Sequence, residues 1–281
     1  MSATVFLVVI AAAFLHALWN AQVKRGDDKT LAMAAVVLGQ GLFALLALAV
    51  APLPAVESWP YIAASVLLHV GYQVFLTRSY RIGDLTQVYP IARGTAPLLV
   101  AAVSVGFLGV ELGPAEIAGV VVIGAGIMSL SLVRQADGLR NGRAAFLAVT
   151  TGCFIAGYSL VDGLGARAAG SPLGFYGVVA VVNSAIFAAM LGFWRPARLR
   201  GLLQARRVFV LGGGASFTAY ALVVWAFTQA PIALVTALRE TSVVFALVIG
   251  VVVLRERLDL AKVASTMVTI CGAALLRLGK G

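Results

Sequence analysis

The chain has 281 residues, 61% of them hydrophobic and 11% charged, with a formal charge of +10 at neutral pH. Soluble domains run at about 45–50% apolar and about 25% charged, and one aqueous core of this length cannot hide so much apolar surface. Soluble, disordered, fibrous and disulfide-rich secreted classes are therefore excluded, and the chain reads as a polytopic membrane protein.

A membrane span needs about 20 mostly apolar residues. Apolar runs punctuated by charge, Pro or Gly predict ten helices, over 4–23, 31–51, 61–80, 85–109, 115–133, 144–166, 173–194, 208–227, 232–254 and 260–276. Strand-period alternation of the kind a membrane barrel shows is absent, so the expected fold is all-α. Such spans fill nearly the whole length and leave no room for a soluble catalytic domain. The positive charge falls in short loops, where Lys and Arg set topology and touch anionic headgroups. No basic domain exists to bind nucleic acid.

The first span lacks a basic leader segment and is interrupted by His16, Trp19 and Asn20, so it reads as a retained helix and not a cleaved signal. His16 and Asn20 lie one turn apart. Trp19 is too deep for an interfacial belt, and His16 fits either a proton relay or a structural hydrogen bond. The third span carries His69, Tyr72, Gln73, Thr77 and Tyr80 at helical spacing.

The fourth span opens Gly83-Asp-Leu-Thr-Gln-Val-Tyr-Pro-Ile-Ala-Arg-Gly-Thr-Ala-Pro97, which sets Tyr89, Arg93 and Pro97 on one face. Pro90 and Pro97 each remove a backbone donor, and Gly94 lowers helix stability between them. The expectation is a weakened helix whose carbonyls face a substrate cavity, with a simple packing kink as the alternative. Gly119, Gly124, Gly126, Ser265 and Gly272 in the fifth and tenth spans read as a close-packing signal. Further polar faces come from Tyr158 and Asp162 in the sixth span and Tyr220 in the eighth.

Arg93 and Arg239 stand near the midplane, roughly 12 Å from their helix starts at about 1.5 Å per residue. An arginine there costs roughly 2.5–3.5 kcal/mol on insertion scales. Glu240 reads as the only carboxylate near the middle of any span. Adjacent helical residues diverge by about 100°, so Glu240 is poorly placed for Arg239 and Arg93 is the better partner. Two readings stay open: a structural Arg93–Glu240 pair that locks the protein, or two arginines holding an anionic substrate while Glu240 takes up a proton. His16, Trp19, Asn20, Tyr72, Tyr89, Tyr158 and Tyr220 are the candidate lining of such a site. Cys153 and Cys271 read as small packing residues within spans, and neither histidine has the neighbours a metal site needs. No metal or other cofactor is expected.

An offset of 146 aligns Arg93 with Arg239, Thr95 with Thr241, Leu108 with Leu254, Leu112 with Leu258, Ala115 with Ala261 and Gly126 with Gly272. The chain therefore divides into repeats over 1–138 and 139–281. Each holds five spans, an odd number, so the repeats are inverted, a plan used by many secondary transporters. Sixteen of the 21 Lys/Arg follow odd-numbered spans, whereas Arg167, Arg277 and Lys280 alone lie on the opposite side. By the positive-inside rule both termini lie outside the cytoplasm.

The ten-span inverted repeat, His16-Ala-Leu-Trp-Asn20, Tyr89-Pro-Ile-Ala-Arg-Gly94 and Leu254-Arg-Glu-Arg-Leu258 together resemble the EamA group of the drug/metabolite transporter superfamily over essentially the whole chain. The stretch 83–97 looks like a subgroup associated with phosphonate utilisation. The resemblance implies a secondary transporter of the bacterial inner membrane, often an exporter of amino acids or related metabolites, with a central cavity between its halves. Its implied partners are a small-molecule substrate, the lipid bilayer and protons as coupling ion, and a duplicated chain can work as a monomer. Two features depart from the pattern. The small multidrug relatives use a carboxylate in the first span, where this chain has His16 and Asn20, and several relatives place their termini in the cytoplasm. An intramembrane enzyme would need a nucleophile–base pair, facing aspartates or a metal motif, and none is present.

Overall fold

The computed structural model describes residues 1–25, 28–82, 85–133, 142–194, 196, 201–255 and 260–279. The repeat junction at 138/139, Gly83, and the loop residues Arg134, Arg140, Arg195, Arg198, Arg200, Arg257 and Lys280 lie outside them, as do the side chains of Lys29, Thr77, Tyr80 and Arg81. Among the described residues, eleven α-helices build ten spans: α1 (Ala3–Arg25), α2 (Lys29–Leu48), α3 (Trp59–Ile82), α4 (Leu85–Gly106), α5 (Pro114–Val133), α6 (Gly142–Ala168), α7 (Pro172–Trp194), α8 (Gly213–Gln229), α9 (Ile232–Arg239), α10 (Ser242–Val252) and α11 (Leu260–Leu278). A π-helical turn, Val208–Gly212, leads into α8. No strand occurs among the described residues, and ten helical segments are long and apolar enough to cross a membrane.

These helices are apolar nearly all round, because one side packs inward while the other meets hydrocarbon. Leu7, Leu67, Phe146, Phe193 and Leu260 all point outward, each more than half exposed. A helix is favoured there because it satisfies its own backbone hydrogen bonds without water. Cys153 and Cys271 also lie on this outer surface, unpaired. That corrects their reading as packing residues: a lone small side chain on a lipid-facing position is as well solvated by acyl chains as by protein.

The halves interlock. Helix α3 packs on α6, and its counterpart pairing is α8 on α1; α4 packs on α6, and its counterpart is the ninth span on α1. Helix α2 against α7 and α5 against α11 are self-paired across the pseudo-twofold axis. Each half thus covers the other's interior surface. The α5–α11 seam is made of the small residues expected there. A Cβ on Gly119 would stand 3.0 Å from the carbonyl oxygen of Gly272, and one on Gly272 would stand 3.0 Å from that of Gly119. Ser265 Oγ donates across the same seam to the carbonyl of Gly126 at 2.8 Å.

The fourth and ninth spans exchange their expected characters. Helix α4 runs unbroken from Leu85 to Gly106 with Pro90 and Pro97 inside it. Gly94 serves packing there, since a Cβ would stand 2.8 Å from the carbonyl oxygen of Gly124 on α5. The ninth span, expected as one helix over 232–254, instead breaks between Arg239 and Ser242. At the break the backbone tightens to three-residue spacing: Glu240 N–H donates to Ala237 and Thr241 N–H to Leu238, both at 3.0 Å. The Thr241 hydroxyl donates to the Leu238 carbonyl at 2.8 Å and competes with the helical ladder. The break falls beside a buried ion pair and not at a proline.

Replacing Gly119 by Val forces the α5–α11 seam apart and should destabilise the protein by roughly 1–3 kcal/mol. Thermal unfolding in detergent tests this, with Val121→Ala on the outward face of the same helix as the control that stays near wild type.

Candidate functional site

The break places charge in the middle of the molecule. Arg239 ends α9 and Glu240 precedes α10, so the cation sits at a helix C-terminus and the anion at a helix N-terminus, each favoured by the local dipole. Arg93 reaches the same point from α4. Its Nε lies 2.8 Å from Oε2 of Glu240, and its Nη2 donates to Ser242 Oγ at 3.3 Å. Arg239 Nε lies 3.9 Å from Oε1 of the same carboxylate. Glu240 is fully buried between the two guanidiniums, which are themselves 7% and 3% exposed. The Arg93–Glu240 pairing expected from symmetry is present.

The cluster is charge-paired but not hydrogen-bond-satisfied. Arg93 Nε is close to the carboxylate without pointing at it, and Arg239 Nε and Nη2 and both Glu240 oxygens have no hydrogen-bond partner. Aromatic faces support the arginines. The guanidinium of Arg93 lies 5.8 Å from the Tyr89 ring centroid and that of Arg239 lies 5.9 Å from Tyr220.

A second polar centre adjoins the first. Tyr220 donates its hydroxyl to Asp162 Oδ2 at 2.6 Å, and His69 Nε2 stands 4.0 Å from the same oxygen. The His69 ring stacks on Tyr158 at 4.2 Å, and Tyr72 meets Tyr158 edge-on at 5.8 Å. Asp162 is fully buried. This corrects the reading of Glu240 as the only carboxylate deep in a span. The predicted sixth span, over 144–166, put Asp162 near its end, but the helix runs on to Ala168 and its last turns are enclosed by α3 and α8.

The structure brings Arg93, Arg239, Glu240, Tyr89, Tyr72, Tyr158 and Tyr220 into one chain of contacts. His16 borders it, in the field of both arginines. Trp19 packs edge-on against His16 at 5.1 Å, and the Asn20 amide donates to the His16 carbonyl at 2.7 Å within its own helix. Both of these contacts stay within α1. Sequence reasoning missed Ser242, which anchors Arg93, and the importance of His69.

The centre is closed towards one end and looser towards the other. In α1, Val5, Val9, Ala12 and Ala13 alternate with exposed positions, giving a sealed inner face. Over 15–23, every residue except Ala17 is only half-buried. Helix α3 changes in the same way, with residues 68–76 all half-buried. Both half-exposed stretches lie at the end whose loops carry most of the basic residues. The opposite end is plugged by apolar packing that includes Val5, Val100, Phe227, Leu234 and Leu276.

Ten apolar spans in two halves, interlocked about a charged break in mid-span, define an integral-membrane protein of two-repeat design. The chain belongs to the EamA-like transporter family, which matches residues 3–132 and 142–278 and so both halves. It is a membrane transporter of the drug/metabolite type. A solved structure titled "Crystal structure of protein" is similar in fold, with a TM-score of 0.71 and 18% identity, over 98% of this chain and 96% of that one. No curated protein matches the chain.

Proposed function

We propose that the protein is a secondary active exporter of a small anionic or zwitterionic metabolite, working by alternating access around the centre between its halves. The observation that carries this reading is the pair of buried arginines whose N–H groups are not all used by the protein. A buried guanidinium donor without an acceptor costs free energy, and an entering carboxylate, phosphonate or phosphate supplies that acceptor with charge. Glu240, shared by Arg93 and Arg239, is the internal anion that a substrate would displace or a coupling proton would neutralise. Tyr89, Tyr72, Tyr158, Tyr220, His16, Trp19 and Asn20 shape the route. Multidrug-type cation efflux is disfavoured by the two guanidiniums, which repel a purely cationic cargo.

The membrane assigned by this reading is the bacterial inner membrane, with the basic end cytoplasmic and both termini outside. A reporter fused at Gly281 is then active outside the cytoplasm, and a cytoplasmic reporter signal overturns the orientation. In this orientation the looser end of the structure faces the cytoplasm, where an exporter loads.

Thermal unfolding of the purified protein against amino acids, aminophosphonates, phosphorylated metabolites and cationic drugs tests the substrate class, since a ligand of the folded state raises its apparent stability. The expected hit is anionic or zwitterionic and is lost in Arg93→Ala, a variant that still inserts in the membrane. Hits confined to cations, or retained without Arg93, make the arginine structural. In proteoliposomes loaded with that hit, Glu240→Gln should lose transport driven by a pH gradient while keeping binding. Gradient-driven flux equal to wild type excludes Glu240 as the coupling residue.

A further inference from the structure

The arginine cluster leaves donors without acceptors, and the adjoining centre shows the complementary deficit. Asp162 Oδ2 accepts from Tyr220, but Oδ1 has no hydrogen-bond partner although the residue is fully buried. The Ser65 hydroxyl beside it lies 3.3 Å from His69 Nδ1. His69 Nδ1 also stands 3.0 Å from the backbone carbonyl of Ser65, an oxygen that can only accept, so Nδ1 carries the ring hydrogen. In the neutral ring Nε2 is then a bare lone pair, and it faces a carboxylate oxygen across 4.0 Å. With the ring neutral and the carboxylate ionised, two acceptors confront each other there. What fits that gap is a group with several N–H donors and a positive charge.

The surroundings suit a cation. His69 lies flat on Tyr158, with Tyr220 edge-on to the imidazole at 5.9 Å and Tyr176 against Tyr220 at 4.9 Å. Aromatic rings in a desolvated site attract ammonium groups through their faces. The site is not sealed: the His69 side chain is 18% exposed and belongs to the half-buried stretch of α3.

The two centres are joined by one side chain. The Tyr220 ring carries the guanidinium of Arg239 at 5.9 Å on its face, while its hydroxyl is bonded to Asp162. Unused donors of Arg239 and the unused acceptor of Asp162 thus flank a single tyrosine. With both carboxylates ionised, Arg93, Arg239, Glu240 and Asp162 balance in charge, and only a net-neutral ligand leaves that balance intact in a low-dielectric centre.

We infer that Asp162 and His69, with Tyr158 and Tyr220, form a second subsite that takes a protonated amine, so that the molecule bound at the arginines is a zwitterion with its anion at Arg239 and its ammonium at Asp162. This rests on the arginine reading above and extends it to a site of opposite sign.

Four probes separate the two subsites in thermal unfolding of the purified full-length protein: alanine, alaninamide (amine only), propionate (anion only) and N-acetylalanine (anion with the amine capped). Alanine should stabilise the wild type at lower concentration than either single-charge probe or N-acetylalanine. Asp162→Asn should weaken the alaninamide response about tenfold or more, the loss of one charge-assisted contact, and leave the propionate response unchanged. Arg239→Gln should do the converse. Should Asp162→Asn fold poorly, the comparison of alanine with N-acetylalanine on the wild type decides alone. The amine subsite is overturned if alaninamide gives no response, if its response survives Asp162→Asn, or if N-acetylalanine stabilises as well as alanine. An alaninamide response without any propionate response overturns the arginine reading instead.

Discussion

The geometry of this transporter depends on one carboxylate held between two guanidiniums in the middle of a hydrocarbon slab. Desolvating three charges costs several kcal/mol each, so the cluster persists only where the fold supplies compensation on every side. The ninth span stops being helical at Glu240 and Thr241, which aligns one helix end with the cation and the next helix start with the anion. Ser242 anchors Arg93, and Tyr89 and Tyr220 lie against the guanidiniums. Residues 232–242 are all buried, an enclosure that keeps water and lipid away from the pair. Every residue of the short half-helix α9 is buried, and Arg239 ends it.

The two halves contribute unequally to this centre. At the offset of 146 that superposes the arginines, Glu240 corresponds to Gly94. Both buried carboxylates, Glu240 and Asp162, belong to the second half, while the first contributes an arginine, two histidines and a small residue. Gly94 is no vacancy: its missing side chain lets α4 sit against Gly124 of α5. Where the second half spends its position on charge, the first spends it on proximity. An inverted repeat constrains the backbone of both halves to one plan, and the chemistry of the centre comes from where the copies have diverged.

Fold class was legible because hydropathy reports directly on the solvent. Ten apolar runs of spanning length admit only helices, and an odd number of spans per repeat forces inversion. The arginine pair was legible for the same reason, since a charge within such a run needs an explanation. Two things were not. Helix continuity is not set by proline alone: α4 runs through two prolines whose lost donors leave the rest of the ladder in place, and the ninth span breaks where it carries the buried Glu240. The burial of Asp162 depends on how far α6 extends between α3 and α8, a tertiary quantity that a residue four or five positions from a predicted helix end does not disclose. The glycine seam lay between: small residues announce close approach, but only the structure shows Gly119 and Gly272 as reciprocal partners.

The plug at the sparsely charged end has a thermodynamic character of its own. Val5, Val100, Phe227, Leu234 and Leu276 meet there through apolar surface. Parting them wets hydrocarbon and breaks no charge pair. Exposure of apolar area carries a positive heat capacity and is insensitive to the screening that weakens exposed ion pairs. In the alternating-access reading proposed above, the free energy of parting this plug is accordingly curved in temperature and little affected by modest ionic strength, while the opposite end, where most of the Lys and Arg fall in the sequence, responds to salt and to the charge of the lipid beside it.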